Sequence, residues 1–158
     1  AQMGETFVIP ELKLHEETMY IPGTDGAKMS KSKGNTIIIF QSDKALKKQI
    51  MSIETDSTPL EDPKDPDTCN VFGIYKLLAS KDEVAQMRKN YEAGGYGYGH
   101  AKKALYELVL NTFEKERALY NHYMENLDEL DAALSVGAEK ARGIANDVLE
   151  RVRKKVGY

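Results

Sequence analysis

Apolar residues recur with a helical period along most of the chain. Leu46, Ile50 and Ile53 fall at i, i+4 and i+7 behind Ser42 and Asp43, both able to cap a helix start. Val71, Ile74, Tyr75 and Leu78 resume the spacing, and Ser80 with Glu83 forms an S-x-x-E capping box ahead of Val84, Met87 and Tyr91. Beyond "AGGYGYGH", Leu105, Leu108, Thr112, Leu119, Tyr123 and Leu127 trace one stripe, which predicts a single long helix broken near Asn126. A last helix follows with Ala141, Ile144, Ala145, Val148, Val152 and Val156 on one face and Gly157 at its C-terminal turn. Thr55 to Thr68 holds three prolines and five acidic residues and reads as a loop between helices.

The first 40 residues follow another pattern. "TFVIP" (Thr6 to Pro10) and "TMYIP" (Thr18 to Pro22) are short β-branched and aromatic runs stopped by proline, expected to be strand or extended. "TIIIF" is short enough to be strand or helix entry. Between them lies "GTDGAKMSKSKGN", Gly23 to Asn35, with three lysines and two serines. The expected fold class is mainly α, a helical bundle with a short α/β segment in front.

Composition narrows the function. The chain is 158 residues, 41% hydrophobic and 30% charged, without an apolar run of 18 residues to cross a membrane. Its first residues, "AQMGETFVIPE", hold no basic region followed by an apolar stretch and do not begin with Met, so the chain is expected to start in mid-chain. The single cysteine, Cys69, reads as a small buried hydrophobe or a loop thiol in a reducing, cytoplasmic setting. A net charge of −3 argues against a DNA-binding polycation, so any contact with nucleic acid must be local.

Most candidate motifs have structural readings. The glycines at 94, 95, 97 and 99 lack the Gly-Lys-Ser/Thr ending of a phosphate loop and follow a helix, so they read as a helix–helix turn. Tyr96 and Tyr98 within it could stack on bases but read as packed or surface aromatics. His15, His100 and His122 have no metal-ligand spacing, and "ENLDELD" reads as a solvated helix face or a capping run. Lys140, Arg142, Arg151, Arg153, Lys154 and Lys155 either touch an RNA backbone or complement the helix dipole. The lysine stretch is different: ammonium groups and hydroxyls on a glycine-flanked loop suit a polyanion such as the phosphates of ATP. Met29 is the large apolar residue able to anchor that loop.

"KMSKS" at Lys28 to Ser32 is identical to the signature loop of class I aminoacyl-tRNA synthetases. With "FVIPE", "IETDSTP" (Ile53 to Pro59), "GYGHAKKAL" and "VGAEKARGIANDVLERVRKKVG", the chain resembles tryptophanyl-tRNA synthetases of bacterial type over essentially its whole length. The resemblance implies that residues 1–40 end a Rossmann catalytic domain and that 41–158 form a C-terminal helical domain binding the tRNA anticodon. It implies ATP, with Mg2+ as part of the substrate complex, bound by Lys28, Met29, Ser30, Lys31 and Ser32, with Lys28 and Lys31 catalytic and no metal held by protein ligands. It further implies tryptophan and tRNA(Trp) as partners, a homodimeric full-length enzyme, and no membrane or DNA partner. The family's HIGH-type sequence and tryptophan-pocket helices have no counterpart here, so these residues alone are expected to be inactive. A tyrosyl-tRNA synthetase, a helical interaction module and a stand-alone RNA-binding domain are the alternatives.

Overall fold

The computed structural model describes residue 4 and residues 6–13 and 20–158, and its regular structure is almost entirely helical. Helix α1 (Asp43–Met51) starts where Ser42 Oγ accepts the Ala45 N–H, satisfying one of the donors that a helix start leaves open. Helices α2 (Asn70–Tyr75), α3 (Lys81–Ala93) and α4 (Tyr98–Thr112) follow. The α3 capping box is complete: Ser80 Oγ accepts the Glu83 N–H, and the Glu83 carboxylate accepts the Ser80 N–H at 2.8 Å. Gly94 and Gly95, at φ 74° and 72°, turn the chain from α3 into α4, as the glycine cluster predicts.

Chain contacts divide the protein into two compact units, Ala1–Leu14 with Leu119–Tyr158 and His15–Ala118. In the second unit, α4 packs on both α1 and α2. Leu46, Ile50 and Ile53 meet Val71, Phe72, Ile74 and Tyr75, with Met87 and Tyr91 of α3 and Ala101, Leu105 and Val109 of α4 completing the core. Each such Leu, Ile or Phe, taken out of water, contributes about 1.5–3 kcal/mol.

The long stripe beyond Gly97 is not one helix. Thr112 ends α4, Phe113 leaves helical geometry at φ −107° and ψ 19°, and α5 (Glu114–Glu125) resumes at once. Phe113 packs against the core, and the Arg117 guanidinium donates to the carbonyls of Ile39 and Gln41 and pairs with Asp43. The expected break at Asn126 is present, and Leu127–Val156 form α6, closed by Gly157 at φ 86°. In the unit that holds it, His122 Nε2 lies 2.8 Å from Glu129 Oε2 across the α5–α6 break, and Arg151 Nε donates to Thr6 O at 3.1 Å.

Among the described residues no strand forms. "TFVIP" is irregular, its Phe7, Val8 and Ile9 exposed, because no described segment supplies a ladder to pair with it. His15, and Thr18 and Met19 of the second run, lie outside the described residues. "TIIIF" is neither strand nor helix. The Gln49 carboxamide takes the place of a neighbouring strand: its Oε1 accepts the Ile38 N–H at 2.9 Å, and its Nε2 donates to Thr36 O.

Candidate functional site

The lysine loop is built around a buried amide. Pro22 and Lys28 face each other in an isolated antiparallel bridge. The turn joining them is closed by Gly23 N–H to Ala27 O at 2.7 Å and Gly26 N–H to Gly23 O at 3.1 Å. Gly26 lies at φ 74°, and a Cβ there would stand 2.4 Å from Asn70 Oδ1, so glycine is required both by dihedral and by space. Past the bridge, Met29 N–H donates to Ile21 O at 2.8 Å, and Lys31–Lys33 make one 3-10 turn ended by Gly34 at φ 69°.

Asn35 sits inside this arrangement, 3% exposed. Its Oδ1 accepts the Ser30 N–H at 2.8 Å, and its Nδ2 donates to Asp25 Oδ1 at 2.7 Å and to Lys28 O at 3.2 Å. Its own carbonyl accepts the Thr24 N–H at 2.9 Å. The hydrogen bond from Asn35 holds the Asp25 carboxyl below its usual range; the Ala27 N–H and the field of Lys33 act the same way, against some desolvation. The base of the loop is tied to the α1–α2 connection, since Glu54 N–H donates to Thr24 O at 2.8 Å and Asn70 Nδ2 to Glu54 O at 3.0 Å.

The five residues singled out from sequence are contiguous on this framework. Lys28, Lys31 and Ser32 are exposed, while Met29 and Ser30 are half-buried. Ser30 Oγ and Ser32 Oγ are 2.9 Å apart, so the two hydroxyls share one hydrogen bond and leave the other proton to point outward. Among the described residues, no carboxylate lies within ion-pair distance of Lys28, Lys31 or Lys33. A loop that displays ammonium and hydroxyl groups while its backbone is braced from inside can receive a polyanion. Asn35, Asp25 and Asn70 had no part in the sequence reading. The signal for Asn35 was its place directly after the lysines behind Gly34, a small amide closing a glycine-bounded turn.

The remaining candidates are used within the fold. Tyr98 OH donates to Asp56 Oδ1 at 2.7 Å, and burial, with Asp56 second, pushes its hydroxyl up to about 12. Tyr91 packs on Phe72, Tyr96 and Tyr98 with ring centroids 5.8–6.1 Å apart. Cys69 is buried with its Sγ 3.4 Å from Tyr91 OH, and His100 lies against Tyr96. Lys64, 4% exposed, caps the Thr55–Thr68 loop from within, its Nζ donating to Pro59 O, Leu60 O and Asp62 O at 2.8–3.2 Å. In α6, Arg153, Lys154 and Lys155 occupy the last turn. No helix of the described residues is long and apolar enough to cross a membrane, and none of their His, Cys, Asp and Glu side chains groups as a metal site.

The braced lysine loop and the helices behind it match the family described as tRNA synthetases class I (W and Y) over residues 2–114, and the chain belongs to that family. Within it, the similarity runs to tryptophan–tRNA ligases. That of Campylobacter jejuni strain RM1221 is 49% identical over 156 residues, covering 99% of this chain and 49% of the relative. That of Rhodopirellula baltica is 45% identical, covering 98% and 48%. A crystal structure of tryptophanyl-tRNA synthetase from Campylobacter jejuni complexed with ADP and tryptophan superposes at a TM-score of 0.86 with 49% identity, again over 99% of this chain and 49% of that one. The chain spans about half the length of these relatives.

Proposed function

We propose that this chain is part of a tryptophan–tRNA ligase, which joins tryptophan to ATP to give tryptophanyl-adenylate and pyrophosphate and then transfers the acyl group to tRNA(Trp). The observation that carries the reading is the lysine loop: three exposed lysines, unpaired with any described carboxylate, on a backbone braced by a buried amide. Residues 1–40 then end the nucleotide-binding domain and 41–158 form the helical tRNA-binding domain. The basic turn of α6 is the candidate for the RNA backbone, through contacts that weaken steeply with salt. The full-length protein is cytoplasmic and homodimeric in this reading.

In the reaction, Lys28 and Lys31 neutralise the pyrophosphate as the bond between the α and β phosphates breaks, and Ser30 and Ser32 donate hydrogen bonds to it. Magnesium arrives with ATP as substrate. These contacts accelerate the step to the extent that they strengthen as charge moves onto the leaving group. A loop carried on a bridge and a single 3-10 turn suits closure over phosphates.

The test is amino-acid-dependent ATP–pyrophosphate exchange in the full-length protein, with tryptophan and tyrosine side by side, in wild type and Lys31→Ala. Exchange with tryptophan that falls about 10²–10³-fold in the variant is expected. Exchange with tyrosine alone would reassign the substrate, and near-normal turnover of the variant would remove Lys31 from the chemistry. The 158 residues alone are expected to form no adenylate.

A further inference from the structure

We propose that Asn35 is a positioning residue for this reaction: its carboxamide sets the path of the backbone from Lys28 to Lys31, and so where the two ammonium groups project, without itself touching the nucleotide. The inference rests on the functional reading above and adds to it a residue outside the five-residue signature.

Three observations carry it. The amide is buried, so its bonds face inward instead of toward a ligand. Its bonds straddle the motif, with Lys28 O on one side of Met29 and Ser30 N–H on the other, while Asp25 holds it from the opposite limb. Among the described residues, no other side chain bonds the backbone of residues 28–31.

The chemistry of the position is selective. A primary amide offers an acceptor for Ser30 and two donors for Asp25 and Lys28. Aspartate has the same size, but it would set a second carboxylate oxygen against Asp25 and against the Lys28 carbonyl, and the limb carrying Lys28 would have to move. Neighbouring Gly23 leaves the room the amide fills, since a Cβ there would stand 2.5 Å from Asn35 Cγ. A shift of about 1 Å in a charge-stabilising group, made from outside the reacting atoms, costs roughly 10²-fold in rate.

The experiment compares wild type, Asn35→Asp, Lys31→Ala and the double variant in the full-length protein. It reads ATP–pyrophosphate exchange together with amide hydrogen exchange at Ser30. We expect the Ser30 amide to exchange at least about 10-fold faster in Asn35→Asp as its acceptor is displaced. Turnover should fall by about 10²-fold, with the KM for tryptophan unchanged. In the Lys31→Ala background the same change should cost markedly less, about 10-fold, because one of the two ammonium groups that Asn35 places is already gone.

Wild-type turnover in Asn35→Asp, or an equal loss in both backgrounds, would overturn the proposal, since general destabilisation does not depend on Lys31. Should Asn35→Asp fail to fold, Asn35→Ser removes the bonds without adding charge and is read the same way. Absence of exchange in the wild type would defeat the functional reading and with it Asn35's catalytic consequence. The Ser30 amide would then still report on the brace, lost protection supporting it and retained protection overturning it.

Discussion

Two glycines, one in the turn after α3 and one in the first turn of α4, differ by what a single methyl group would meet. Gly94 combines φ 74° and ψ 171°, a region open to glycine almost alone, with a Cβ position 2.4 Å from the Glu61 carbonyl. Gly99 lies within α4, where an added Cβ meets nothing within 4 Å. Gly94→Ala should therefore destabilise the protein by about 1–3 kcal/mol. Gly99→Ala should stabilise it by about 0.5–1 kcal/mol, by removing glycine's excess freedom in the unfolded chain. Denaturant midpoints of the two variants decide it, and the reverse order would be inconsistent with this geometry. The turn was legible because four glycines in six residues mark it. Asn35 was not, because one small polar residue after a charged run looks the same whether it faces water or the interior.

At the level of elements, local interactions were legible and tertiary ones were not. The Ser80–Glu83 box and the Ser42 cap are contacts between residues three apart, so the spacing alone announces them. Ser80→Ala should cost about 1 kcal/mol and fray the first turn of α3. Amide exchange at Asp82 and Glu83 measures this, and protection equal to wild type would show that the box contributes nothing. The break at Phe113 left no such mark. It depends on Phe113 meeting the core and Arg117 meeting carbonyls more than 70 residues away in sequence, neither of which a hydrophobic stripe encodes. The same holds for "TIIIF", whose β-branched residues predict a strand or helix entry while Gln49 satisfies its backbone as a loop.

For the molecule as a whole, the tyrosine cluster sets an alkaline limit. Burial raises the hydroxyls of Tyr75, Tyr91, Tyr96 and Tyr98 above the ordinary 10.0, with Tyr98 at about 12. Protons held by the folded form are released first by the unfolded chain, so this stabilisation is complete below pH 10 and is lost as pH rises; for Tyr98 the window is 10.0 to about 12. Melting temperature should fall across that window, and less steeply in Tyr98→Phe. A melting temperature independent of pH from 9 to 12 would contradict the burial assigned to these rings. Lys64 has a consequence of another kind. Rich in proline and aspartate, Thr55–Thr68 has the composition of a chain segment that proteases open first, yet its lysine is enclosed, its ammonium occupied by three carbonyls. To a trypsin-like enzyme that segment is closed, and the nick falls instead among the exposed lysines at 28, 31 and 33.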